Sequence, residues 1–346
     1  MARGVHLVGS VPMADAEEVF RAVTATLGNR VTRLPDGETG ARRDWITWLE
    51  PVFAHNPAFR KSGEFFRVHA SGTGRERYTL APGVLPQDVR FDNLFYGEIA
   101  RESYAVFKRL KDSGTIPSAM KFQVDLVPAH SVLWLFLIDA LHAPIDPVYN
   151  EALKREIDKI AAAIPHHELA IQFDVASAVF ARLERNEPNS YGSSKAQMQE
   201  TFSGILVDLG NHVPARIDLL YHLCYGDSNH RHVVEPTDMS DMVELANRVC
   251  RQIKRPVQLF HMPVPRNRHD DGYFEPLRRL ALRPETKVCL GLVHYTDGVE
   301  GTKQRLAAAK KYARGFSIAT ECGFGRRDPE TIPALLRIHA EVADVS

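Results

Sequence analysis

Residues 169–175 read LAIQFDV and residues 217–224 read IDLLYHLC, and between them residues 195–209 carry the spacing of an amphipathic helix. Both short runs are mostly apolar, as expected for strands that are buried on both faces of a parallel sheet. A strand, a helix and a second strand in that order are typical of a βαβ unit. The same alternation recurs along the chain, so this stretch decides the fold that we predict.

Working outward from this unit, we predict eight strands, at residues 5–10, 31–36, 119–126, 169–175, 217–224, 257–261, 287–294 and 316–322. Helical patterns lie at residues 14–27, 96–113, 147–164, 195–209, 239–253, 273–282, 298–312 and 329–345. Eight strands, each followed by a helix, favour one α/β domain, a (βα)8 or TIM barrel that covers residues 1–346.

One stretch does not follow the alternation. Residues 45–95 lie between the second strand and the next helix, and within them residues 65–80 (FFRVHASGTGRERYTL) alternate like a β-hairpin. Long connections in compact domains are usually functional. We therefore predict an inserted loop or hairpin over the mouth of the barrel rather than a separate domain.

The charge balance and the hydropathy of the chain restrict its partners. Lys and Arg total 43, Asp and Glu total 43, and the net charge is zero, so we expect no nucleic acid. The longest apolar stretch, residues 131–143, contains Asp139 and is shorter than the roughly 20 residues of a membrane span. The first 20 residues lack the apolar segment of a signal peptide. We expect a cytoplasmic protein whose four cysteines are thiols.

Polar side chains stand at the predicted strand ends, where barrel enzymes build their active sites. These residues are Ser10, Glu38, Asp125, Asp174, His222, Cys224, His261, His294 and Cys322. His222 and Cys224 are two residues apart on one strand, so their side chains point to the same face. With Cys322 they form a donor set that suits zinc. Buried cysteines more often simply pack, and we assign that role to Cys250 and Cys289.

Six motifs resemble those of the cobalamin-independent methionine synthase catalytic barrel, in the uroporphyrinogen decarboxylase/methionine synthase-like superfamily. They lie in the family's order along almost the whole chain: HLVGSVP at 6–12, DGETGARRDWITWL at 36–49, IQFD at 171–174, HLCY at 222–225, VH at 293–294 and ECGFGRR at 321–327. They are similar to the family's IGSFP, HGE, QIDEP, HxCY, IHSPR and DCGLKTR motifs. Each motif alone is weak, but six in register are fairly specific.

The resemblance implies a zinc-dependent methyl- or alkyltransferase that holds a small, homocysteine-like thiol as its thiolate. It implies His222, Cys224 and Cys322 as zinc ligands. It also implies that Ser10, Glu38 and Asp174 bind the amino acid part of the thiol substrate. His294 corresponds to a histidine that handles a proton beside the methyl donor.

The sequence departs from the family pattern in three places. The family's fourth ligand is a glutamate on strand six, where this chain offers His261, which we keep as the expected fourth zinc ligand. The family has a second acidic residue directly after its aspartate, and this chain has Val175 at that position, after Asp174. The chain also shows no counterpart of the N-terminal barrel of the full-length enzymes. The methyl donor is therefore open among folate, a methylated corrinoid protein and another small methylated compound.

Two other functions are compatible with the sequence. One is a metal-free decarboxylase of the uroporphyrinogen type, although the opening motif lacks an arginine cluster. The other is a non-catalytic barrel with a closed zinc site of four protein ligands. Among further residues, His230 and His232 are candidate extra metal ligands, acid/base groups or solvated loop residues. Trp45 and Trp48 would form an aromatic wall or cover the rim of the barrel. Arg326 and Arg327 would clamp a carboxylate or phosphate, or be solvated or helix-capping residues.

Overall fold

A curled sheet of seven parallel strands lies at the centre of the protein. The structure is a computed structural model, and it describes residues 2–67, 74–226 and 231–344. The strands of the protein are β1 (Ala2–Arg3), β2 (Arg33–Pro35), β3 (Phe59–Phe66), β4 (Arg75–Leu80), β5 (Lys121–Leu126), β6 (Leu169–Val175), β7 (Asp218–Leu223), β8 (Leu259–Pro263), β9 (Lys287–Val293), β10 (Ser317–Thr320) and β11 (Ala343–Asp344). The central sheet has the order β10-β9-β8-β7-β6-β5-β2. Seven of the eight predicted strands are therefore present, in sequential order.

Helices follow the strands and cover the outside of the sheet. They are α1 (Ala16–Leu27), α2 (Glu50–Ala54), α3 (Tyr96–Asp112), α4 (Ala129–Phe136), α5 (His142–Ala163), α6 (Ser177–Arg185), α7 (Lys195–His212), α8 (Ser240–Gln252), α9 (Asp271–Phe274), α10 (Gly298–Ala309) and α11 (Ile332–Val342). We did not predict α4 and α6, which follow β5 and β6. The predicted helix at 273–282 is α9 with a 3-10 turn at Glu275–Arg279. Within the described residues, no helix is long and apolar enough to cross a membrane.

The predicted first strand, residues 5–10, is held by both backbone and side-chain hydrogen bonds rather than by a regular ladder. Its regular pairing is one bridge from Val5 to Ile318 of β10. Further along, the amide Nε2 of Gln123 donates to the carbonyl of Leu7 at 3.1 Å, and Gln172 Nε2 donates to that of Val8 at 2.6 Å. Glutamine side chains thus take carbonyls that a neighbouring strand would otherwise use. The curled sheet agrees with a TIM-like barrel, and full closure by eight strands stays a prediction.

The segment after β2 contains an antiparallel hairpin. β3 pairs with β4, and the turn of the predicted hairpin at 65–80 includes residues 68–73, which lie outside the described residues. The hairpin contacts the rest of the protein through Tyr78, whose carbonyl accepts a hydrogen bond from Ile138 N at 3.1 Å. Phe53 of α2 stacks on Phe136 of α4 with ring centroids 4.7 Å apart. These contacts hold the segment on the side where β5 ends. That residues 1–346 form a single domain remains a prediction.

A small apolar layer lies inside the curl of the sheet, beneath the strand ends. It consists of Val8, Ala170, Leu220, Leu259, Cys289 and Ala319, all of them buried. Cys289 therefore packs in a hydrophobic layer, and Cys250 is buried in the main core. Strand residues two positions further along point to the same side, above this layer. The layer supports the candidate site.

Candidate metal and thiol site

A cavity of about 260 Å³ opens at the C-terminal ends of the strands. Of the eight side chains that the sequence predicts for the site, six line this cavity: Ser10, Glu38, Asp174, His222, Cys224 and Cys322. They come from five separate parts of the chain, and the curl of the sheet brings them together. The other two, His261 and His294, are not among its lining residues.

The two cysteines and the histidine of the site form a compact group. The candidate ligand atoms of His222, Cys224 and Cys322 all lie within 4.8 Å of one another. The Sγ atoms of the two cysteines are 3.7 Å apart, far longer than a disulfide bond of about 2.05 Å. Gly226 N donates to Cys224 Sγ at 3.3 Å, and Arg326 Nη2 lies 3.5 Å from Cys322 Sγ. Such donors stabilise thiolates.

The group fits a zinc ion by its chemistry and by the distance between the sulfur atoms. Two thiolates on a tetrahedral zinc, with Zn–S distances of about 2.3 Å, lie about 3.8 Å apart. The separation of 3.7 Å between Cys224 and Cys322 matches this value. Burial lowers the pKa of His222 well below its usual range, with a smaller contribution from the neighbouring imidazole of His261. His222 is therefore neutral, as a metal ligand must be.

The structure does not bring His261 into this group. Its Nδ1 lies 2.7 Å from Nδ1 of His222, and its Nε2 lies 2.9 Å from the carbonyl oxygen of Thr320. Both ring nitrogens are therefore engaged within the protein. His261, the expected fourth ligand, instead contacts the candidate ligand His222, because the two residues are in register on β7 and β8 and their rings lie side by side.

Glu38 and Asp174 form an acidic wall of the cavity, and the carboxyl group of Asp125 interacts with both of them. Burial raises the pKa of Asp174 and of Asp125 well above the usual range, and the charges of neighbouring carboxylates add to the effect. The pKa of Glu38 rises to about 7 through burial and the charges of Asp36 and Cys322, against the attraction of Arg42. Three such groups cannot all ionise cheaply without a cation. The wall is thus suited to bind an ammonium group.

Glu38 has a strained backbone conformation, which the neighbouring Asp36–Arg42 ion pair keeps in place. Its φ of +47° lies in the left-handed region, where a residue with a side chain is rarely found. Asp36 Oδ1 accepts the backbone N–H of Glu38 at 2.9 Å, and Arg42 and Ser103 both donate to Asp36. A strained conformation of this kind persists because the surroundings determine it, and such residues cluster at functional sites.

Ser10 reaches the site because the loop after β10 contains glycines. Gly325 N donates to Ser10 Oγ at 3.2 Å, and Phe324 N donates to the Ser10 carbonyl at 2.6 Å. A Cβ on Gly323 would lie 2.3 Å from Ser10 Oγ, so a side chain there would displace the Ser10 hydroxyl. The loop that carries Cys322 is thereby fixed against the first strand.

His294 lies behind the cavity wall. Its Nε2 is 2.9 Å from the carbonyl of Val264 and 3.8 Å from a carboxylate oxygen of Glu321. Burial lowers its pKa, although Glu321 opposes this. The same carboxylate lies 3.3 Å from His232, whose pKa rises to about 9 because Glu321 and Glu235 outweigh its burial. The role of His294 as a general acid stays a prediction. His230 lies outside the described residues.

Aromatic and basic side chains form the rest of the cavity lining. Trp45, Phe66, Trp134, Arg75 and Arg326 all face it. Phe66 and Trp134 meet edge to face with centroids 4.7 Å apart, so the inserted hairpin contributes to the wall. Of the two tryptophans that we proposed, Trp45 lines the cavity. Trp48 instead packs edge to face on a buried tyrosine.

The fold and the site define a barrel-like α/β protein with a thiol–imidazole group at its mouth. No family model matches the chain, and no curated protein matches it. Among solved structures, the B12-independent methionine synthase from Shewanella sp. W3-18-1 in complex with selenomethionine matches with a TM-score of 0.57 and 15% identity, over 99% of this chain and 98% of that chain. The putative B12-independent methionine synthase from Listeria monocytogenes matches with a TM-score of 0.55 and 14% identity over the same shares. The likeness to these structures supports the TIM-like α/β fold that the sequence motifs imply, and full closure by eight strands stays a prediction.

Proposed function

We propose that the protein is a zinc-dependent methyl- or alkyltransferase that acts on a small, homocysteine-like thiol. One observation carries the proposal: His222, Cys224 and Cys322 meet at metal-ligand distances on the wall of a cavity that also presents Glu38 and Asp174. A thiol-bearing amino acid requires a metal site for its thiol and an acidic wall for its ammonium group, and this cavity offers candidates for both. The fold shared with methionine synthases agrees with this chemistry.

His222, Cys224 and Cys322 would hold the zinc ion and leave a fourth place for substrate. When bound there, zinc would keep an incoming thiol deprotonated at neutral pH, and the thiolate is the reactive form of a thiol. The chain's own contribution is to fix three ligands and to exclude bulk water. His222 and Cys224 are buried, and Cys322 is half-buried.

The remaining wall would orient the amino acid part of the thiol. Glu38 and Asp174 face the cavity with raised pKa values, so a bound ammonium group would restore their ionised forms. Ser10 Oγ and the guanidinium of Arg326 lie on the same wall and suit a carboxylate. The bound selenomethionine of the Shewanella protein is an amino acid of this class, which supports the assignment.

The methyl donor would occupy the outer part of the cavity. Trp45, Phe66 and Trp134 offer flat apolar surfaces there, and Arg75 offers a positive charge. A flat, anionic donor such as a methylated folate fits this lining better than a large corrinoid protein would. The structural neighbours are described as B12-independent, which also favours a donor other than a corrinoid. His294 remains our candidate for the general acid.

The observed ligand number argues against a closed structural zinc site. Such a site favours four protein ligands, and the described residues bring together three. A metal-free decarboxylase would give the two paired thiols no role. We therefore keep one function.

The proposal is tested by metal content followed by activity. Purified protein, expressed with zinc and analysed by plasma mass spectrometry, is expected to hold about one zinc per chain. Cys322→Ala should lose it, whereas Cys250→Ala, which changes a buried cysteine of α8, should keep it. Zinc-loaded protein should then methylate homocysteine or a related thiol from one of a panel of folate and small methyl donors. Zinc-free protein, or zinc-loaded protein inert with every thiol and donor pair, would refute the function.

A further inference from the structure

The imidazole of His222 is hydrogen-bonded to a second buried imidazole. His222 Nδ1 and His261 Nδ1 are 2.7 Å apart, and the two side chains are 2% and 0% exposed. His261 Nε2 lies 2.9 Å from the carbonyl oxygen of Thr320. A short chain of hydrogen bonds thus runs from a candidate zinc ligand on β7, through β8, to the end of β10.

The chemistry of these atoms fixes where the protons are. A carbonyl oxygen can only accept, so Nε2 of His261 carries a proton and donates to Thr320. In a neutral ring Nδ1 of His261 is then an acceptor, and the proton between the two rings belongs to Nδ1 of His222. Nε2 of His222 is left with its lone pair. The pair of bonds therefore selects the tautomer of His222 that binds a metal through Nε2.

The chain of hydrogen bonds also reaches the second half of the site. The hydroxyl of Thr320 donates to the carbonyl oxygen of Cys322 at 2.6 Å. The pairing of β10 with β9 shifts its register between Ile318 and Thr320, and such bulges often redirect groups beside active sites. His261 is thus connected to a histidine ligand directly and to a cysteine ligand through one residue.

From this geometry we infer that His261 is a positioning residue, not a fourth ligand: it fixes the tautomer and the orientation of His222, and the fourth place on the metal stays open for the thiol. The inference rests on the proposed function, since it concerns the same metal group. Partners of this kind orient metal ligands, and their loss typically weakens metal binding about 10- to 100-fold.

Two amide variants separate the two bonds of His261. In His261→Asn the side-chain oxygen takes the place of Nδ1, so the acceptor for His222 is kept. In His261→Gln the amide reaches the place of Nε2, so the donor to Thr320 is kept and the acceptor for His222 is lost. We expect zinc affinity, measured by competition with a chelator, to fall about 10- to 100-fold in His261→Gln. It should stay within about threefold of the wild type in His261→Asn, which retains the hydrogen bond to His222.

Spectroscopy counts the ligands independently of activity. X-ray absorption of the zinc-loaded wild type should show two sulfur atoms and one imidazole, and cobalt-substituted protein should keep its thiolate charge-transfer bands in both variants. Thermal unfolding of the metal-free proteins shows whether each variant is folded. A second imidazole on zinc, or equal losses of affinity in both variants, would overturn the inference and leave the proposed function standing. One imidazole on zinc in a protein that methylates no thiol would refute the function and leave the inference standing.

Discussion

Replacement of Glu38 by glutamine should stabilise the metal-free protein at high pH while weakening its binding of substrate. Glu38 stands in the acidic wall with its pKa raised from 4.5 to about 7. The folded state therefore holds a proton to a higher pH than the unfolded chain does. The raised pKa therefore leaves the free energy of unfolding unchanged below pH 4.5 and lowers it fully above pH 7.

The size of the effect follows from the shift. A difference of about 2.5 pKa units corresponds to about 3 kcal/mol at 1.36 kcal/mol per unit. Because the side chain faces an open cavity, where water screens its charge, we expect about 1 to 3 kcal/mol. Glu38→Gln should thus equal the wild type near pH 4.5 and exceed it by this amount at pH 8.

The assay is urea unfolding of chelator-treated protein at pH values from 4.5 to 8. The quantity of interest is the difference in the free energy of unfolding between variant and wild type, since other groups titrate in both. Glu300→Gln, which removes a carboxylate that is 82% exposed, is the matched control, and its effect at pH 8 should be smaller than that of Glu38→Gln. A difference that is independent of pH, or a variant less stable than the wild type at pH 8, would refute the reasoning.

Three further predictions concern the same mouth of the sheet. Gly323→Ala places a Cβ 2.3 Å from Ser10 Oγ. The free energy of unfolding in urea should fall by about 1 to 3 kcal/mol, and calorimetry should show weaker thiol binding. Unchanged thiol binding would contradict the contact. Trp45→Ala should raise KM for the methyl donor by about tenfold and leave KM for the thiol nearly unchanged, and equal changes in both would remove Trp45 from the donor wall. His232 pairs with Glu321, so the wild type has extra stability below pH 6.5 and loses it as pH rises through 9. His232→Gln should lack this extra stability, which thermal unfolding across that pH range would show. A parallel pH profile in the variant would argue against the pair.

The alternation of short apolar runs with amphipathic stretches predicted the strands well, because each run is buried on both faces and its length limits it to a strand. The same pattern did not reveal α4 and α6, although α6 (Ser177–Arg185) is amphipathic and only nine residues long. α4 (Ala129–Phe136) is buried along its whole length, so it has no polar face to give it a helical period. The first strand was predicted as regular, whereas part of its pairing is made by the side chains of Gln123 and Gln172, which lie far away in sequence.

The candidate site could be assembled from strand ends alone, since parallel strands bring their C-terminal ends to one edge. Spacing placed His222 and Cys224 on one face, and Cys322 followed from a second strand end. The direction of a ring could not be predicted: His261 has a suitable residue type and position, but its two nitrogens are engaged by His222 and Thr320. The role of Glu321, between two histidines, was also missed. It precedes Cys322 in the sequence, and its acidity was the one available signal.

The cavity joins parts of the chain that are synthesised far apart in time. Ser10 and Gly325, which hydrogen-bond to each other beside Cys322, are separated by 315 residues. On the ribosome, the first strand and the acidic wall are complete long before the second thiol emerges. A partly made chain therefore presents His222 and Cys224 without their counterpart, and a metal ion bound there would have an incomplete set of ligands. Secure binding of the proposed zinc ion would thus have to wait for the last strand, which would make metal uptake a late event in folding and a direct readout that the first and last strands have met.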